Sequence, residues 1–315
     1  MKKFLIIFSI TFVINTALCR SGWIEQYSTG LEFPTSIAFA DSSNGFITGF
    51  FSCARTSDGG ASWLTFNPAV ALRYSDVSFV NSDTGFLIVS NLNTGLYRTL
   101  NKGVSWTRIL SNINIKSYQF INPHLGYLAE VNGNINRTTD GGMSWSYVFN
   151  NHNLVPVSIS FADENHGILI DSEGRGLSTT DGGSHWSDIF LATGYGGKVS
   201  YPAVNSIYVA SNSRDDIDVL RKSTDNAQSW TSEYFYFSRF TDIRFLNAGT
   251  GTVSGNHSLL MRTTDGGVSW IRQSISDSFF SVSALFFLNV NLGWLINSEG
   301  VVYKTYDGGG GSSKN

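Results

Sequence analysis

The side chains able to do chemistry in this 315-residue sequence are few and widely spaced. Asp76, Lys198 and Asp242 are the charged members of a recurring set, Ser36, Asp76, Ser117, Ser158, Lys198, Asp242 and Ser283, each placed shortly before an aromatic residue. Two facing carboxylates are the minimum machinery for glycoside hydrolysis, one as acid and the other as base or nucleophile, about 5 to 9.5 Å apart. Arg73, Tyr74, Tyr195, Tyr236, Phe237 and Arg239 lie nearby in sequence, and aromatic residues beside arginine are what binding surfaces use as anchors. His124, His152, His166, His185 and His257 share no spacing, and there is no Gly-x-Ser-x-Gly elbow, paired-histidine motif or phosphate loop. Neither a metal nor a cofactor is therefore expected. Asp215, Asp216 and Asp218 read as the solvated tip of a loop.

Positioning such scattered residues is the task of the rest of the chain. Only 14% of it is charged, against roughly 25% in an average soluble domain. It is 42% hydrophobic and 14% aromatic, with 32 glycines and five prolines, a composition suited to short aromatic-rich strands joined by tight turns. With 21 basic and 24 acidic residues and no basic run, nucleic acid is not an expected partner.

A repeat of blade length runs through the sequence. Thr138 to Trp145 (TTDGGMSW), Thr179 to Trp186 (TTDGGSHW) and Thr263 to Trp270 (TTDGGVSW) are near copies, and Ser57 to Trp63, Leu100 to Trp106 and Thr224 to Trp230 are looser ones. A seventh, Lys304 to Gly309 (KTYDGG), stops before its tryptophan. In phase with these, an aromatic residue precedes a glycine by six positions: Phe39 and Gly45, Phe79 and Gly85, Phe120 and Gly126, Phe161 and Gly167, Phe245 and Gly251, Phe287 and Gly293; Tyr201 is followed by Ile207 instead. Seven units of this length predict an all-β, seven-bladed β-propeller of four-stranded antiparallel blades. Trp23 precedes Phe39 by the same 16 residues that separate Trp145 from Phe161. The N-terminal strand is thus predicted to complete the C-terminal blade, hiding edges that would otherwise template aggregation.

The repeated aspartates, Asp58, Asp140, Asp181, Asp225, Asp265 and Asp307, are expected to accept backbone N–H groups inside the hairpin between third and fourth strands, with the following glycines at positive φ. A cation stands just before six of the seven turns, at Arg55, Arg98, Arg137, Lys222, Arg262 and Lys304, with Ser178 in the other. These cations either brace their blades or form an arc that receives an acidic partner.

The T-x-D-G-G-x-S-W turn resembles the Asp-box, or bacterial neuraminidase repeat. Across the whole mature length, the seven copies and the aromatic-to-glycine spacing resemble the photosystem II stability and assembly factor family. That resemblance implies an exported propeller without catalytic machinery, acting as an assembly scaffold through an arginine patch that Arg98, Arg137 and Arg262 match. The third-to-fourth-strand turns at Asn101-Lys102 and Asp225-Asn226-Ala227 depart from the motif. Sialidases carry an early Arg-Ile-Pro sequence that is absent here, and xyloglucanase-like enzymes build a cleft between two propellers. The expectation is a binding scaffold for a protein or glycan, monomeric, with a glycoside hydrolase using Asp76 and Asp242 as the alternative.

Residues 1–19, with Lys2 and Lys3 ahead of an apolar stretch from Phe4 to Ile14, read as a secretory signal peptide. The stretch is too short to span a bilayer, so secretion, the periplasm or the cell envelope is expected, with lipid attachment at Cys19 the lesser option. The predicted propeller occupies 20–309, and 310–315 is expected to be a flexible tail.

Overall fold

A computed structural model of the chain describes residues 22 to 310 except 69–72, 92–93, 190, 192–194, 213–216, 237 and 276–280. The signal peptide, most of the tail, Phe237, Asp215 and Asp216 therefore lie outside the described residues, as does the side chain of Tyr195. Each repeat folds into one four-stranded antiparallel sheet, seven in all, and the described residues contain no helix. The innermost strands of blades 1 to 7 are Ser36–Phe39, Arg73–Phe79, Ile115–Phe120, Pro156–Phe161, Tyr195–Ala203, Phe240–Phe245 and Val282–Phe287.

The ring closes where the sequence places the join. Ile24–Ser28 pairs antiparallel with Val301–Thr305 as the outer strand of blade 7. In blade 1 the Ser62 backbone N–H, next to Trp63, donates to Asp58 at 2.9 Å. In blade 7 the Gly22 N–H, next to Trp23, donates to Asp307 at 3.0 and 3.2 Å. The N-terminus thus supplies Gly22-Trp23 in place of the Ser-Trp half of a turn whose aspartate sits at the other end of the chain.

Second strands are buried along almost their whole length, whereas outer strands are mostly exposed. A strand covered on both faces reads as a continuous apolar run instead of an alternating one. The covering comes from the neighbouring blade, and the buried apolar residues divide into seven clusters, one at each junction between blades.

The two sequence markers meet in space. Phe39 and Trp63, Phe120 and Trp145, Phe161 and Trp186, and Phe245 and Trp270 pack edge to face at 5.9 to 6.1 Å. The glycine six residues on is forced by the ring: a Cβ at Gly45 would lie 2.4 Å from Phe39, and one at Gly167 the same distance from Phe161. The ring's far face stacks on the preceding blade at four junctions: Trp294 on Phe39, Phe86 on Phe120, Tyr127 on Phe161 and Tyr208 on Phe245, with centroids 3.4 to 3.7 Å apart.

Candidate functional site

The turn between third and fourth strands is held as the sequence predicts, with one addition. Asp140 takes the Ser144 N–H at 2.9 Å, and the Thr138 hydroxyl takes the Gly142 N–H at 2.9 Å while donating to Asp140 at 2.8 Å. The threonine is as much a part of the turn as the aspartate. Anion-stabilising donors hold these carboxyls low. Asp58 lies at about 2 through the Ser62 hydroxyl, Asp181 at about 2 through the His185 N–H, and Asp225 at about 2 through the Ser229 hydroxyl. Asp140 and Asp265 fall well below the usual carboxylate range for the same reason.

Three of the six cations at these turns reach into the next blade. Arg98 donates to Gly141 O at 2.9 Å, Lys304 to Gly59 O at 2.9 Å, and Arg262 to Gly308 O and to Val290 O at 2.6 Å. Arg137 bonds Tyr127 Oη at 3.1 Å, within its own blade. Arg55 and Lys222 are half-buried beside their turns. The hydrogen-bonding capacity of Arg98, Arg262 and Lys304 is thus directed to braces between blades.

The other candidate set lines the channel. Inner strands have one edge that no strand of their own sheet covers, and unpaired backbone donors are costly when buried. Side chains of the adjacent blade satisfy them. Ser117 accepts from Ile159 N, Gln119 from Phe161 N, Ser158 from Val199 N, Ser160 from Tyr201 N and Ser200 from Phe245 N, at 2.6 to 3.2 Å. Ser117 and Ser158, at channel positions, are therefore seals between blades, whereas Ser36 donates to Asp76. The seventh equivalent, by register against the second strand, is Ala284; Ser283 occupies the bulge before it.

Bulges in six of the seven inner strands explain how the charges are aimed. A bulge inserts an unpaired residue and redirects its neighbours. Ser75 beside Asp76, Lys116 beside Ser117 and Thr241 beside Asp242 all line one opening of about 320 Å³, together with Arg73, Lys198 and Arg244. A second opening, about 270 Å³, lies at the far ends of the inner strands and also holds Asp76, Lys198, Asp242 and Arg244. Asp76 accepts the Ser36 hydroxyl at 2.6 Å and the Val77 N–H at 2.9 Å. Asp242 accepts the Ile243 N–H at 3.0 Å and Arg244 Nε at 2.8 Å. The Asp242 carboxylate beside it raises the Arg244 pKa above its ordinary value.

Several residues named from sequence sit elsewhere. Tyr74 is fully buried in the junction between blades 1 and 2 and offers no surface. It faces inward because the bulge follows it, so Ser75 and Asp76 take the channel side. Asp218 is also fully buried, accepting the Arg239 N–H at 2.6 Å, instead of standing in solvent. Tyr236 is 70% exposed on an outer strand, and Arg239 is exposed with φ +43°.

Sequence reasoning missed Arg244, Lys116 and a set of rings. Arg244 was findable: two residues beyond Asp242, the strand's period of two puts it on the same face. Phe33 and Phe51 carried no signal. They are 64% and 53% exposed, with φ of +48° and +66°, a conformation that bulky residues rarely adopt. Phe33 lies 5.6 Å from Phe50, over which the Arg73 guanidinium sits at 4.8 Å. Of this group Arg73 lines the opening, and the rings gathered next to it are Phe33, Phe50 and Phe51, not Tyr74.

No protein-family model matches the sequence, and no curated protein matches it. Solved structures do. YCF48 from Cyanidioschyzon merolae is similar with a TM-score of 0.72 and 18% identity, over 91% of this chain and 99% of that one. YCF48 bound to D1 peptide gives 0.71 and 16%, over 90% and 94%. A GH74 xyloglucanase from Xanthomonas campestris gives 0.69 and 13% over 91% of this chain and 53% of the enzyme, so this chain spans about half the enzyme's length. At these identities the likeness shows the propeller fold, which serves a peptide-bound protein in one case and a hydrolase in another.

Proposed function

We propose that this protein is an exported, non-catalytic binding scaffold that receives an acidic segment of a partner protein at the channel opening flanked by Arg73. The observation that carries this reading is a reversal of charge. The chain is net −3 overall, yet Arg73, Lys116, Lys198 and Arg244 face only Asp76 and Asp242 in that opening. A cleft of one sign with low-dielectric walls concentrates ligands of the opposite sign. Phe33 and Phe51, exposed beside the Phe50 ring that Arg73 covers, supply apolar anchors of the kind that dominate binding energy. YCF48 bound to D1 peptide is a propeller of similar shape holding a peptide, and export follows from the signal-peptide character of residues 1–19.

Titration calorimetry with a glutamate-rich decapeptide tests this. Binding should weaken as salt rises and fall at least about tenfold in Arg73→Glu/Lys198→Glu, while Arg108→Glu on the outer strand of blade 2 leaves it unchanged. Equal affinity in all three proteins removes the opening from the account.

A hydrolase working through Asp76 and Asp242 is the second reading, favoured by the two carboxylates sharing one opening. Against it, Asp242 is tied within its own strand, one oxygen to Arg244 at 2.8 Å and the other to the Ile243 N–H at 3.0 Å, so its carboxyl is engaged away from a bound sugar. Hydrolysis of a xyloglucan oligosaccharide that disappears in Asp76→Asn would establish the enzyme.

A further inference from the structure

The junction between blades 6 and 7 breaks a rule kept at its neighbours. Opposite the cation position on each third strand, the second strands carry Phe46, Phe86, Tyr127, Ile168, Tyr208, Thr252 and Trp294. Four of these rings stack on the marker ring of the following blade at 3.4 to 3.7 Å. Phe46 and Ile168 fill the corresponding space by packing in their own junction clusters. Thr252 has no ring to offer Phe287. Of the seven buried members of that junction's apolar cluster, only Leu260 comes from blade 6.

What remains is a cavity of about 150 Å³ lined by Phe245, Leu246, Thr252, Arg262, Phe286 and Phe287, among others. Leu246 is 39% exposed, so the cavity reaches the surface. Arg262 does not close it. Its guanidinium is tethered to the Gly308 and Val290 carbonyls and sits 5.8 Å from the Phe287 ring centre. A space of this size with apolar walls is large enough to admit one benzene-sized molecule.

We propose that this slot is a binding site for a single planar aromatic ring, supplied by a ligand and seated against Phe287 as Phe86 is seated against Phe120. The geometry that accepts it is the one the chain uses at four other junctions. Face-to-face area and an adjacent guanidinium both favour an electron-rich ring, of which indole is the simplest probe.

Thermal melting of the whole protein with increasing indole tests this. The expected result is a saturable rise in melting temperature with a dissociation constant of about millimolar order, retained in Thr252→Val, which leaves the slot open. Thr252→Phe fills the slot from within; it should melt about 2 °C or more above the wild type and lose the indole response. Intermolecular NOEs from indole to the Phe287 ring give a readout that does not depend on the variant folding. No saturable response in the wild type, an undiminished response in Thr252→Phe, or NOEs confined to other residues would each overturn the assignment.

Discussion

The rim and the channel of this propeller are built from the same seven repeats, yet they are organised oppositely. At the rim each blade offers nearly the same turn and a tryptophan beside its marker ring, and Arg98, Arg262 and Lys304 add braces into the next blade. In the channel the equivalent positions read Ser36, Asp76, Ser117, Ser158, Lys198, Asp242 and Ala284. The rim must solve one problem seven times, since each blade can bury its faces only against its neighbours. The charged channel residues Asp76, Lys198 and Asp242 keep contact with water, so a charge there costs little, and individuality is tolerated wherever a serine is not needed to cap the neighbouring inner strand.

The most damaging way to break this contrast is to remove the closing strand. Deletion of residues 22 to 30 leaves Asp307 without the Gly22 N–H and Gln273 without the Trp23 indole and uncovers the edge of Val301–Thr305; insoluble protein, or a non-cooperative melt, is expected in expression and calorimetry trials. Next, Phe161→Ala in the rim stack should cost about 3 to 5 kcal/mol by denaturant titration, whereas Lys198→Ala in the channel should stay within about 0.5 kcal/mol of wild type. Equal losses would erase the distinction. Thr179→Val, which strands the Gly183 N–H, should cost about 1 to 3 kcal/mol.

The smallest effect is on pH. Asp58, Asp181 and Asp225 titrate near 2 in the folded protein and near 4 when unfolded. Their stabilising contribution is fully present above about pH 4 and is lost as pH falls through about 2. Melting temperature should therefore decline across that window. Asn101 occupies the equivalent position in blade 2, so its turn should not take part in that decline.

Much of the fold was legible because its two markers report on one contact. Phe161 and Trp186 are sequence signals 25 residues apart for the same reason that they touch, and Gly167 is glycine because the Phe161 ring covers it. The site was less legible. A serine such as Ser158 reads equally as a ligand contact or as a cap for a strand edge, and only its bond to Val199 N decides. Tyr74 and Phe51 look alike as aromatic residues near the channel, but one is sealed in a junction and the other stands in solvent.

The sequence by itself determined the number of blades, the turns and the closure of the ring, since these rest on contacts within one repeat or between its copies, where spacing is conserved by geometry. The tertiary structure alone decided which cations are braces, which serines are seals, which way the bulges turn Asp76 and Asp242, and where a missing ring at Thr252 leaves a space. Those outcomes depend on lateral contacts between neighbouring blades, about 40 residues apart in sequence, and a side chain's chemistry does not say which neighbour it will meet.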